Sequence, residues 1–314
     1  MESTGAGLRA PAAGAPVTAD DAWASGLAGE DLRRAARAGS WVRVRHGAYV
    51  AASSWASADG AEQHRLRVHA AARRMSAPVF SHESAAAVWR LPLLGGWPSD
   101  LHLVRPATRG APSTRGVVRH RVATLPDTRV VEGVTVTTVA QTVVDLARTG
   151  SFARGLVLAD DALRRHSVDR DDLAGLVTAA GRGRGVRAAR RVVAEANPAA
   201  ESPGESLSRA RMIELGLPRP ALQREVRDGR GLVGRVDFLW EGLGVVGEFD
   251  GRLKYRAGAV DDRTAPEDRV WAEKRREDRI RATGLRVVRW TWGDALDAQR
   301  LARVLASAGI RPDA

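Results

Sequence analysis

Residues 235–256 read RVDFLWEGLGVVGEFDGRLKYR, and the reading of this stretch decides the fold of the C-terminal third. Successive side chains of an extended chain point to opposite faces. Val236, Phe238 and Trp240 therefore make an apolar face and Asp237 projects from the other. Further along, Glu248 and Asp250 share one face while Val245 and Phe249 take the opposite one. Folding at the Glu241-Gly-Leu-Gly turn makes a β-hairpin and brings Asp237 alongside the acidic pair. Three converging carboxylates repel one another unless a cation sits between them, and hard oxygen ligands suit Mg²⁺ or Mn²⁺. Asp237, Glu248 and Asp250 are thus candidate metal ligands of a phosphodiesterase site. The plainer alternative is a strand end carrying solvated acids.

The lysines point to the same region. Among 49 Lys and Arg residues only Lys254 and Lys274 are lysines, and both lie in or just after the acidic stretch. A compact ammonium with a tunable pKa can orient a nucleophile or bear phosphate charge in a way a guanidinium cannot. Lys254 is the candidate catalytic cation; a salt-bridging surface lysine is the alternative.

Length and composition set the outer bounds. A chain of 314 residues with 44% hydrophobic and 27% charged residues suits a soluble globular protein of two or three domains. No apolar run approaches the roughly 20 residues that span a bilayer, and residues 1–22 read as a disordered tail without a signal pattern. The absence of cysteine excludes disulfides, thiol nucleophiles and thiolate zinc sites, so a cytoplasmic location is expected and no membrane partner. The net charge of +12 favours a polyanionic partner such as DNA. Residues 1–200 carry 27 basic against 18 acidic residues, whereas residues 201–314 carry 22 against 19. Nucleic-acid attraction is therefore expected mainly from the first two-thirds, with general Arg richness as the competing explanation.

Residues 23–60 read as a helix followed by a basic two-stranded wing, the winged helix-turn-helix pattern. The helix runs from Glu30 with acids in its first turn to a stop at Gly39; Trp41-Val-Arg-Val-Arg then alternates as a strand, His46-Gly47 turns, and Ala48-Tyr-Val returns. Arg33, Arg34, Arg37, Arg43 and Arg45 are the candidate phosphate contacts. Residues 61–196 read as mixed α/β, with helices at 61–75, from Ser81, at 138–148 and at 155–165, and short strands near 101–104, 116–120 and 134–137. His82 and Glu83 could form an acid/base pair, but a helix-start cap explains them more simply. Residues 197–204, NPAAESPG, read as a linker. From 205 to 314 the order is α-β-β-β-α-β-α, a small sheet flanked by helices, so the fold class is α/β (α+β).

The C-terminal order, an acid on a first helix, an Asp on one strand and an acidic pair on the next, resembles the PD-(D/E)xK nuclease fold. ESPGESLSR, GLPRP, RVDF, GEFDGRLKY and GLRVVRW within residues 201–296 look like the bacterial family related to very-short-patch-repair endonucleases. RHGAYV and SHESAA are similar, more loosely, to AbiEi-type antitoxins, in which a winged module precedes an α/β domain and which repress their own operons. The resemblance implies Asp237 and Glu248 as metal-binding acids and Glu205 as a helix-borne acid nearby. It also implies a Lys two residues after the Glu, where this chain has Asp250. Either Asp250 is a further ligand and a lysine reaches in from elsewhere, or catalysis has been lost. The expectation is a DNA-binding, Mg²⁺-dependent endodeoxyribonuclease, the alternative an antitoxin-like repressor with an inactive nuclease fold and a cognate toxin as partner.

Overall fold

A computed structural model describes residues 15–24, 28–107, 113–251 and 266–312. Helices and mixed sheets alternate along the chain, as an α/β protein requires. The chain forms two compact units, residues 1–149 with 171–189, and residues 150–170 with 190–314.

The first unit begins with β1 (Val17–Thr18), α1 (Ala19–Ala24), α2 (Gly29–Arg37), β2 (Trp41–Arg45), β3 (Ala48–Ala51) and α3 (Ala52–Ser57). The strands form an antiparallel sheet in the order β1-β3-β2, and Val17, Ala22, Leu32, Trp41 and Tyr49 make its small core. Residues 17–22 are therefore structured, where the composition reads as the end of a tail. Val17 and Ala22 are buried, so two apolar side chains in a small-residue segment suffice to close this module.

Next come α4 (Gly60–Ala72), α5 (His82–Val88), the parallel pair β4 (Leu101–Pro106) and β5 (Val117–Val122), and the hairpin of β6 (Thr128–Val131) and β7 (Val134–Thr137). Phe80, wholly buried, joins the two strand pairs: its N–H donates to Thr135 (2.9 Å) and its carbonyl accepts from Thr137 (2.9 Å), while the Ser81 N–H donates to His102 (3.0 Å). The core packs Val68 and Ala71 of α4 and Ala85 and Val88 of α5 against Leu101, Leu103, Val117, Val134 and Val136. α6 (Val139–Thr149) follows.

α7 (Phe152–Arg165) belongs to the second unit although it precedes the expected linker by over thirty residues; α8 (Arg170–Ala179) and α9 (Val186–Glu195) follow it. The reason is α10 (Pro203–Glu214), which packs on α7. The fully buried Asp160 of α7 is ion-paired with Arg209 of α10 and accepts from the Asn197 N–H at 2.7 Å. A buried carboxylate demands partners of this kind. Residues 197–204 are not a free linker: Asn197 is tied to Asp160, Ala200 is buried, and Ser202 caps α10 with Pro203 at its first position.

The rest of the unit is a four-stranded sheet in the order β11-β10-β9-β8, built from β8 (Ala221–Asp228), β9 (Gly231–Trp240), β10 (Val245–Asp250) and β11 (Arg286–Thr291), with α11 (Pro266–Ala282), α12 (Trp292–Leu296) and α13 (Ala298–Ser307). β9 and β10 form the expected antiparallel hairpin through a single 3₁₀ turn at Glu241–Leu243, while β10 and β11 run parallel through α11. Phe249 pairs with Trp290, and their face meets α10: the Trp290 Nε1–H donates to Ser208 at 2.7 Å, and a Cβ on Gly204 would fall 2.0 Å from the Phe249 ring. Gly247 lies where the Trp290 and Trp240 rings cross the sheet; a Cβ there would come within 2.6 Å of Trp290.

Candidate active site

Asp237 stands at a fork in the sheet. The β9–β10 ladder ends at Phe238↔Gly247, and beyond it β10 continues to Asp250 paired only with β11. The Asp237 carboxylate fills the gap, its Oδ2 accepting the Phe249 N–H at 2.9 Å. Its Oδ1 accepts from Gln223 Nε2 at 3.3 Å, and the same amide donates to Glu205 Oε2 at 2.9 Å. Gln223 of β8 thus clamps an acid from α10 to an acid from β9. It adopts a left-handed backbone (φ 51°), unusual for a residue other than glycine, and the ladder skips it. Sequence reading did not single out Gln223; a lone glutamine in a strand gives no signal, because its importance comes from the two carboxylates it touches.

Glu205 is almost fully buried, and its other contacts are local. Oε1 accepts from the Ser202 hydroxyl (2.7 Å) and Oε2 from the Glu201 N–H (2.9 Å), while Ser202 Oγ accepts the Glu205 N–H (3.2 Å). This reciprocal cap fixes the carboxylate at the start of α10. Burial, then the charges of Glu205 and Glu248, push the Asp237 carboxyl up to about 6. Acids from α10 and β10 therefore lie close enough to oppose the ionisation of Asp237.

Glu248 is bound otherwise. Both its oxygens accept from Arg276 Nη2 of α11 at 2.7 Å, and Arg289 of β11 lies 3.3 Å away. Glu273 engages the same two guanidiniums, while Glu277 engages Arg289 and Arg281. Asp250 ends β10 opposite Thr291. Lys254 lies outside the described residues. Lys274 stands over the exposed Trp271 ring at 5.4 Å, against an aromatic face. Asp237, Glu205 and Glu248 supply carboxylate oxygens, the donor chemistry that a hard divalent ion takes. Among the described residues, however, no group of three His, Cys, Asp or Glu side chains stands ready to hold a metal. At the acidic fork the Arg276 guanidinium occupies both Glu248 oxygens.

The first unit holds a second cluster. The His82 and His120 rings stack at 3.5 Å, His102 Nδ1 lies 3.0 Å from His120 Nε2, and Glu83 Oε2 is 3.3 Å from His102 Nδ1. The fold thus supplies the companions that the sequence does not show around His82 and Glu83, by pairing β4 with β5 in parallel and setting α5 against them. Burial, then the neighbouring imidazoles, holds His82 down to about 2 and His120 to about 4. Both rings are neutral at pH 7.

On α2, Arg33 and Arg37 pair with Glu30, and Arg34 lies 3.6 Å from Asp31, all exposed. Arg43 of β2 hydrogen-bonds His46 at 2.8 Å. Arg45 is partly buried, and burial followed by the Arg119 charge lowers its pKa.

No family model matches the chain. It is 32% identical over 161 residues to two uncharacterized proteins of Mycobacterium tuberculosis, MT2308 of strain CDC 1551 / Oshkosh and Rv2248 of strain ATCC 25618 / H37Rv. That match spans 51% of this chain and 58% of the relatives, so the chain covers less than two thirds of their length. Among solved structures, the RV2827C protein of M. tuberculosis is similar with a TM-score of 0.36 and 16% identity, covering 68% of this chain and 84% of that one. A likeness this low carries no argument about fold or function.

Proposed function

We propose that the second unit is a divalent-metal-dependent phosphodiesterase acting on DNA, with Mg²⁺ or Mn²⁺ as its ion. The observation that supports this reading best is the buried Asp237 at the strand fork, its carboxyl pushed up to about 6 by burial and by acids from α10 and β10. Asp237 and Glu248 would hold the ion, with Asp250 beside them and Glu205 behind Asp237. When bound, such an ion neutralises phosphate oxygens and acidifies water. Gln223 orients Glu205 and Asp237 through its two hydrogen bonds. Arg276 and Arg289 place positive charge at the same edge, where a phosphodiester would lie. Lys254 keeps its proposed role as a cation at the site. On this reading the winged module adds phosphate attraction through Arg33, Arg34, Arg37, Arg43 and Arg45. A cytoplasmic location fits the cysteine-free composition; no helix among the described residues is long and apolar enough to cross a membrane.

One observation favours a second reading, a DNA-binding repressor of the antitoxin type, with a cognate toxin as partner, whose nuclease fold does not cut. Glu248 is already held by two guanidiniums, with Asp250 standing where the general PD-(D/E)xK motif has Lys. Incubation of the full chain with plasmid DNA and Mn²⁺ or Mg²⁺, beside Asp237→Asn, separates the two. Metal-dependent nicking lost in the variant supports the phosphodiesterase; intact but salt-sensitively retarded DNA supports the repressor. DNA neither cut nor retarded sinks both.

A further inference from the structure

Glu248 belongs to a network of ion pairs that also holds Glu273 and Glu277, the latter paired in addition with Arg281 at 2.7 Å. Arg276 and Arg289 face three carboxylates, Glu248, Glu273 and Glu277. Arg276 is held from both sides: Glu248 takes Nη2 with both oxygens at 2.7 Å, while Glu273, one turn back on α11, takes Nε and Nη2 at 2.9 Å each. Arg289 likewise has Glu273 as well as Glu277, the latter at 3.0 Å. If Glu248 lets go, Arg276 keeps Glu273, and Arg289 keeps Glu273 and Glu277, the second of which it shares with Arg281. Glu248 is thus the acid of this network that both guanidiniums can release while keeping another carboxylate, and it is the one whose charge acts on Asp237. The Arg276–Glu248 pair is sheltered, with side chains 24% and 13% exposed, so solvent does not dissolve it as it would an open surface pair.

We propose that Arg276 is the resident counter-ion of Glu248 and a positioning residue of the site: a divalent ion and the Arg276 guanidinium compete for the same carboxylate, and Arg276 retires onto Glu273 when the ion binds. This rests on the phosphodiesterase reading of the acidic fork. An anionic phosphate near Arg276 and Arg289 would draw the guanidinium the same way, which couples substrate arrival to ion capture. The ion is then bound weakly by the free protein.

The test is titration of Mn²⁺ alone into the full chain, followed by calorimetry and by the loss of the free Mn²⁺ paramagnetic signal. Arg276→Ala should bind Mn²⁺ at least about ten-fold more tightly than the wild type, and adding Glu248→Gln should remove that gain. Arg276→Gln keeps hydrogen-bonding capacity without charge and should show the same gain if the alanine variant does not fold. Mn²⁺ binding unchanged or weakened in both Arg276 variants, with wild-type binding intact, overturns the competition while leaving the ion site standing. No Mn²⁺ binding by any folded form overturns the ion site itself and the competition with it.

Discussion

The two units bury titratable side chains in opposite ways. In the first, His64 and His82 are buried and His120 half-buried, all three uncharged at pH 7, with pKa values of about 4, 2 and 4. His64 is satisfied by neutral partners, the Pro98 carbonyl and the Ser84 hydroxyl, and His82 by an imidazole face. In the second, carboxylates crowd at a strand fork and are steadied by guanidiniums, one amide and backbone N–H groups. A cluster that solves its burial by staying neutral needs nothing further. One that stays charged is where a cation would act, and this contrast directs the functional reading to the second unit.

The largest expected effect is an opposite pH response. The histidines have folded pKa values below their ordinary 6.5, so on acidification the unfolded chain takes up protons that the folded one refuses. Their contribution is fully present above pH 6.5 and is lost as pH falls toward 4, at about 2 kcal/mol for each fully buried ring by pH 5. Asp237 has the reverse sign: its folded carboxyl, at about 6, binds a proton more readily than the unfolded one, so its ionisation weakens the fold as pH rises from 3.8 through 6. Asp145 in the first unit, also pushed up to about 6 by burial, opposes the histidines in part. Denaturant unfolding at pH 5 and pH 7.5, repeated on His82→Asn, is the measurement. A variant as acid-sensitive as the wild type would remove His82 from the account.

Asp237→Asn comes next. It abolishes the repulsion with Glu205 and Glu248 yet keeps an oxygen for the Phe249 N–H, so stability at pH 7.5 should rise by about 1–2 kcal/mol. Any metal-dependent cutting should vanish together with that gain. A destabilised variant would mean that the carboxylate serves chiefly as the end-piece of β10.

How far the site could be read from the sequence depends on how local its signals are. Period-two patterning places Asp237, Glu248 and the hairpin, because a strand's faces are set by its own neighbours. Together with the helix-start and helix-stop residues it gives the α-β-β-β-α-β order from Glu205 onward, but not the break of the expected final helix into α12 and α13. The roles of Gln223 and Arg276 depend on partners 14 and 28 residues away along the chain, which no local period encodes. The unit boundary was hidden for the same reason: Asp160 and Arg209, 49 residues apart, join α7 to α10 across a stretch whose composition imitates a linker.

Gln223→Ala probes the non-local part. It removes the amide shared by Glu205 and Asp237, at about 1 kcal/mol of lost hydrogen bonding, and leaves the left-handed backbone strain in place. The Asp237 carboxyl should move further up, since a group that stabilises its charged form is gone. Carboxyl-carbon NMR titration reads this directly; an unmoved or lowered Asp237 would show that the clamp does not bear on its charge.

The smallest effects on stability are expected on α2. Arg33, Arg34 and Arg37 are exposed and paired within the helix to Glu30 and Asp31, an arrangement worth at most a few tenths of a kcal/mol each. Alanine there should leave unfolding within about 0.5 kcal/mol of the wild type. If the module binds DNA, the cost falls elsewhere: each phosphate contact removed should flatten the dependence of log affinity on log salt by about 0.9. Since Glu30 and Asp31 compete with phosphate for these guanidiniums, Glu30→Gln should strengthen DNA binding while the arginine changes weaken it. Identical salt slopes in all of these variants would detach α2 from nucleic acid and leave its charges as a solvated helix face.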